Sequence, residues 1–150
     1  MPNRAPNNTF KLKAAGASGY SGTPLAKKLG IKEASRVFAT GAPREYRRSL
    51  EPLPTGVRFE THPGPRVDIA HVFVTQKEEL AKCLATLRAK LKPDAALWVS
   101  WPKKTARVST TVGENVIREL ALPLGFVDVK VCAVNEVWSG LKLVVRKKLR

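Results

Sequence analysis

The chain has 150 residues, 43% of them hydrophobic, which suits one domain with a real core and excludes general disorder. Its formal charge of +15 favours anionic partners, nucleic acid first and an anionic membrane surface second, although a basic surface also serves solubility alone. No stretch is long and apolar enough to span a bilayer, and the N-terminus lacks the apolar region of a signal peptide, so a soluble, cytoplasmic protein with no membrane span is expected.

Residues 1–18 read as a flexible basic arm, rich in Pro and Asn and without an apolar period. No acidic residue precedes Glu33, so the segment could track a phosphate backbone. Residues 19–150 read as a single domain. In GYSGTPLAKKLG, at 19–30, Thr23 suits an N-cap, Pro24 the first helical position and Gly30 the left-handed residue after a short helix. Gly19 and Gly22 flank Tyr20 and Ser21, where backbone N–H groups can approach an anion, but no G-K-[ST] follows and a Walker-type loop is excluded.

Residues 36–41 form an expected strand, after which Pro43 starts a helix through Tyr46 and Leu50 that Pro52 and Pro54 end. A dinucleotide site would place Gly-x-Gly-x-x-Gly here; only Gly41 is present, and Pro43 carries no N–H to aim at a ligand. Residues 57–61 form a short strand with Glu60 near its end, where doubly wound sheets often hold a ribose hydroxyl. The link at 62–66 is too short for a helical crossover, so this strand either runs antiparallel or its link is stretched.

The unit at 67–104 organises the domain. Residues 67–74 (VDIAHVFV) are apolar almost without a break, the pattern of a central strand covered on both faces. Thr75 with Glu78 reads as a capping box, and Leu80, Cys83, Leu84, Leu87 and Leu91 make one stripe of a helix that Pro93 stops. Residues 95–101 (AALWVSW) form the next strand, so the unit is a parallel crossover whose ligand edge carries Thr75 and the Trp101–Lys104 turn. Thr111 and Glu114 repeat the capping pattern before a helix ending at Pro123, and 126–134 and 141–145 form a terminal antiparallel hairpin joined through 135–140. Cys83 and Cys132 stand alone in apolar patterns and read as buried free thiols, and no metal site is expected.

The LKPD run at 91–94 leading into Leu97-Trp98-Val99, with Gly125-Phe126 before the last hairpin, resembles the second half of S-adenosylmethionine-dependent methyltransferases. GYSGTPL at 19–25, LWVSWPKK at 97–104 and KVCAVNEVWSGL at 130–141 resemble an uncharacterised bacterial domain family of unknown function. The resemblance implies an α/β fold: a mostly parallel, Rossmann-like (methyltransferase-like) sheet with helices on both faces and a C-terminal antiparallel hairpin. It also implies a bacterial, cytoplasmic setting, and it transfers no catalytic residue.

If the main strands are parallel, one sheet edge collects Trp101, Lys103, Lys104, Trp138 and Glu136, joined by Thr75 and Gly41. Aromatic faces beside ammonium groups suit stacking a base and neutralising a phosphate. No nucleophile elbow is present, neither His62 nor His71 stands in a triad or metal spacing, and Ser100 has no base identifiable beside it. The leading expectation is therefore a non-catalytic, cofactor-free domain that binds an anionic ligand, nucleic acid or another polyanion, through Trp101, Lys103, Lys104, Trp138, Gly41, Thr75, Tyr20 and Ser21. The alternatives are a divergent S-adenosylmethionine-dependent methyltransferase using Glu60 or the Gly41 loop, and a protein-interaction module.

Overall fold

The central strand is buried at every position, Ile69–Phe73, as its unbroken apolar run requires. In the computed structural model, which describes residues 22–150, this strand (β3) lies in a six-stranded sheet of order β2-β1-β3-β4-β6-β5. The other strands are β1 (Arg36–Thr40), β2 (Arg58–Glu60), β4 (Ala96–Pro102), β5 (Phe126–Ala133) and β6 (Trp138–Val145). β1 to β4 are mutually parallel, and β6 inserts antiparallel between β4 and β5. The arm at 1–18 and the Gly19–Ser21 turn, with the anion-site candidates Tyr20 and Ser21, lie outside the described residues.

Alternation of side chains splits the core into two layers. Ala70, Val72, Leu97, Val99, Trp101, Leu141 and Leu143 face α3 (Lys77–Lys90) and α4 (Glu114–Ala121), which contribute Leu80, Leu84, Leu87 and Ile117. On the opposite face, Val37, Ile69, Phe73 and Trp98 pack against two single-turn helices, α1 (Leu25–Lys28) and α2 (Tyr46–Ser49). So short a helix does not hold itself together in water, and tertiary contacts hold these two. The indole N–H of Trp98, for example, donates to the Leu29 carbonyl at 3.0 Å inside the core and fixes the turn after α1.

Strand β2 is parallel to β1, so the stretched-link alternative holds and Glu60 sits at the carboxyl edge of the sheet. The link returns across β1 without a helix and ends at Asp68. That carboxylate accepts the Arg36 backbone N–H at 2.8 Å and the Lys92 ammonium at 2.6 Å, tying the starts of β1 and β3 to the end of α3.

Both capping boxes are corrected. Helix α3 is preceded by Gln76 and α4 by Gly113, neither with a side-chain cap. The Thr111 hydroxyl instead accepts the Lys77 N–H at 2.7 Å, and the Thr110 hydroxyl donates to the Thr75 carbonyl at 2.7 Å. One segment thus caps the start of a neighbouring helix, an exchange invisible to a local pattern. The last strand also begins earlier than expected, at Trp138, so residues 138–140 pair with Ser100, Trp101 and Pro102 instead of forming the hairpin loop.

Gly41 ends β1 at φ +72°, and a Cβ there would press on the Phe73 carbonyl oxygen, inside van der Waals contact. Gly41→Ala is expected to cost about 2–4 kcal/mol, combining left-handed strain with overpacking against backbone, as read from urea unfolding midpoints. A loss below ~0.5 kcal/mol would show that the turn relaxes freely.

Candidate active site

The carboxyl edge of β1 and β2 encloses a cavity of about 260 Å³ lined by Ala39, Ala42, Pro43, Arg44, Tyr46, Arg47, Phe59 and Glu60. Its position follows from the fold, because the turn at Gly41 and α2 closes over the ends of two parallel strands, the usual ligand edge of such sheets. Glu60 and Arg36 form an ion pair at 2.7 Å. The Arg47 guanidinium lies 4.1 Å above the centre of the Phe59 ring, a cation–π contact that lends one wall of the cavity both an aromatic and a cationic character.

Beneath this wall runs a chain of buried polar groups. The Tyr46 hydroxyl is 2.7 Å from His71 Nδ1, and His71 Nε2 is 2.7 Å from the Ser100 hydroxyl. His71 and Ser100 have no exposed surface at all. Burial drives the His71 pKa down to about 3 and raises that of the Tyr46 phenol, so both are neutral near pH 7. Either imidazole tautomer satisfies both bonds, because each neighbour is a hydroxyl that can donate or accept. His71 stacks on Phe73 at 4.2 Å between ring centres, Tyr46 meets both rings edge-on, and Trp138 closes the row edge-on to Phe73 at 5.1 Å.

The expected site divides. Trp101 and Trp138 occupy the same edge but opposite faces, since Trp101 is opposed by Ser139 and Pro102 by Trp138. Trp101 packs under α3 and α4, whereas Trp138 joins the Phe73 row, so they form no common stacking surface. Lys103 and Lys104 follow β4 in the turn, with the Lys103 N–H held by the Val137 carbonyl at 2.7 Å. The Thr75 carbonyl is taken up by Thr110 and Thr111. Of the residues expected for an anionic ligand, none lines the cavity itself; Gly41 precedes the lining residues Ala42 and Pro43, and Glu60, expected for the methyltransferase alternative, is on its wall. Ser100 does have a base beside it, and that base is His71. The pair meets across two strands, 29 residues apart, and only the parallel register of β3 and β4 could have announced it. Neither group reaches solvent, so the pair supports the fold and is not placed as a nucleophile. The cavity residues Arg44, Arg47 and Phe59 were also missed, for they carry no motif. Among the described residues no cluster of His, Cys, Asp or Glu is arranged to hold a metal, and no helix is long and apolar enough to cross a membrane.

No protein-family model matches the chain, and no curated protein matches it by sequence, so the resemblance to an uncharacterised bacterial family rests on its motifs alone. Solved structures do match. A structure assigned as a type 11 methyltransferase from Sulfolobus solfataricus aligns at TM-score 0.58 and 13% identity, over 82% of this chain and 90% of that one. The fold is that of the S-adenosylmethionine-dependent methyltransferases. A SAM-dependent methyltransferase from Aquifex aeolicus aligns at 0.54 and 17% identity, covering 81% and 88%. Fibrillarin from Aeropyrum pernix, solved with natively bound S-adenosyl-L-methionine, aligns at 0.52 and 13% identity, covering 80% and 73%.

The neutral, enclosed His71 makes stability depend on pH. The unfolded imidazole protonates near pH 6.5 and the folded one near 3, so the unfolded state binds more protons between those values. This contribution is complete above pH 6.5 and is lost as pH falls, at up to about 1.4 kcal/mol per pH unit. Urea unfolding between pH 6.5 and 5, above the ordinary carboxylate range, should show that slope in the unaltered protein and a flatter line in His71→Gln. Equal slopes would place the titration elsewhere.

Proposed function

We propose that the chain is a divergent S-adenosylmethionine-dependent methyltransferase whose donor site is the cavity at the ends of β1 and β2. The observation that carries this reading is Glu60. It stands at the carboxyl end of a parallel strand, on the wall of a cavity that the turn after β1 also lines, where an acid meets ribose hydroxyls in doubly wound sheets. Arg36 engages Glu60 Oε2, and Oε1 has no hydrogen-bond partner among the described residues, which leaves an acceptor for a hydroxyl.

The remaining lining fits the donor in part. Arg44 and Arg47 offer charge-assisted donors to a carboxylate, Tyr46 and Phe59 supply flat apolar walls, and Ala39 and Ala42 leave space between them. The volume falls just below the roughly 300–1,000 Å³ of ligand pockets and matches a nucleoside-sized group better than an entire donor. Gly41 is taken up by packing on Phe73, and Pro43 has no N–H, so the loop contributes few backbone donors. When bound, S-adenosylmethionine supplies an electrophilic methyl group. The chain's own part is to hold the ribose and exclude water, with His71 anchoring the Tyr46 ring that forms the floor.

A second reading, a non-catalytic domain for an anionic ligand, keeps one specific support. Arg44 and Arg47 face the cavity while Arg36 already balances Glu60, and that excess positive charge disfavours a sulfonium cation. The nucleic-acid site expected around Trp101 and Lys104 has lost its shared surface, and the structural neighbours are methyltransferases, so the enzymatic reading stands first.

Titration calorimetry with S-adenosylmethionine and S-adenosylhomocysteine is expected to give micromolar binding, weakened tenfold or more in Glu60→Ala, the loss of one hydrogen bond to a charged group at about 1.5–3 kcal/mol. No heat at millimolar ligand ends the proposal. Tight binding of adenosine monophosphate without binding of either adenosyl compound transfers the cavity to the second reading.

A further inference from the structure

The β5–β6 hairpin carries a cluster that the cavity does not involve. Lys130 stands directly opposite Lys142 in the antiparallel ladder, an arrangement that destabilises a sheet. Two more lysines approach from the α1 side. The Lys28 ammonium donates to the Ala133 carbonyl at 3.4 Å, and Lys32 acts electrostatically on Lys142. Burial first, and then Lys130 and Lys32, hold the Lys142 ammonium below its usual pKa, while Lys28 and Lys130 also act on Cys132 between them. Among the described residues none of these four lysines forms a salt bridge, and Glu33, next to Lys32 in the chain, pairs with none of them. The fold therefore brings positive charge together on one face, and among the described residues no ion pair neutralises it.

We propose that Lys28, Lys32, Lys130 and Lys142 form a phosphate-tracking surface that takes the sugar–phosphate backbone of a nucleic acid. Four compact ammonium groups on a strand pair and an adjoining turn suit a row of single negative charges. Lysine lacks the planar fork of Arg, so such a surface positions a backbone without reading its sequence. The net charge of +15 supplies the long-range attraction. Lys130 and Lys32 are exposed, so a backbone reaches them without any rearrangement. The surface shares no residue with the cavity and does not depend on the cavity's ligand.

The test follows anisotropy of a labelled oligonucleotide, single-stranded and as its duplex, across a salt series with the full chain. Lys130→Gln/Lys142→Gln is compared with Lys82→Gln/Lys90→Gln, which removes equal charge from the exposed side of α3. The hairpin variant is expected to lower the slope of log K against log salt by about 1.8 on duplex or about 1.4 on a single strand, and the α3 variant by much less. Relief of the opposed pair should raise the hairpin variant's Tm by about 2 °C, which also establishes that it folds. Absence of binding at low salt overturns the proposal. So do equal slope changes in the two variants, or displacement of the oligonucleotide by polyglutamate as readily as by unlabelled oligonucleotide, which marks the surface as one for acidic proteins.

Discussion

A single buried imidazole constrains the most. His71 lies in the middle of a strand covered on both faces, where a charge is very costly and an unpaired nitrogen costs about 1–3 kcal/mol. The ring is therefore neutral and bonded at both ends, and its two partners must arrive from elsewhere in the chain. Ser100 comes from β4, which fixes the parallel register. Tyr46 comes from α2, a single turn that nothing but packing could hold in place. The consequence reaches the surface, because the same tyrosine forms the floor of the cavity. Its orientation is set by the core, through the bond to His71 and the edge-on contacts with His71 and Phe73.

Gly41 joins this network from the other side. Its left-handed conformation lets the chain leave β1 while lying flat on the Phe73 carbonyl, and Phe73 is the residue on which His71 stacks. The turn, the aromatic row and the hydrogen-bonded chain are thus one packing unit at the carboxyl edge. In a glycine-rich cofactor loop, the absent Cβ opens space toward a ligand. Here it opens space toward the protein. That difference leaves the loop with little backbone to offer the cavity, since Gly41 is packed on Phe73 and Pro43 has no N–H.

The legible parts of the fold were those written in periodicity. The unbroken run of β3 and the leucine stripe of α3 each state how many faces are covered, and the parallel crossover follows from them. What stayed hidden were relations between distant segments. Thr111 looked like the cap of α4 but serves α3, because hydroxyl reach is set by how loops meet and not by spacing along the chain. Trp138 was read as a loop residue because the Asn135–Gly140 stretch is turn-like in composition. Placing it one step into β6 sends it to the face away from Trp101. The direction of β2 was left open by a short link, and only the pairing of Val37 with Phe59 decides it.

Charge distribution separates two demands that composition alone had merged. The cavity holds a cation-rich lining partly balanced by Glu60, whereas the hairpin face holds lysines balanced by nothing among the described residues. An opposed Lys130–Lys142 pair works against folding, and Lys142 is half-buried, so its ammonium is partly desolvated as well as repelled. A chain optimised for stability alone would place an acid or a threonine at one of these positions. Instead it keeps two like charges face to face, toward the end of the strand order opposite the cavity beside β2. Four of the basic residues thus meet on the hairpin side of the sheet, apart from the arginines that line the cavity.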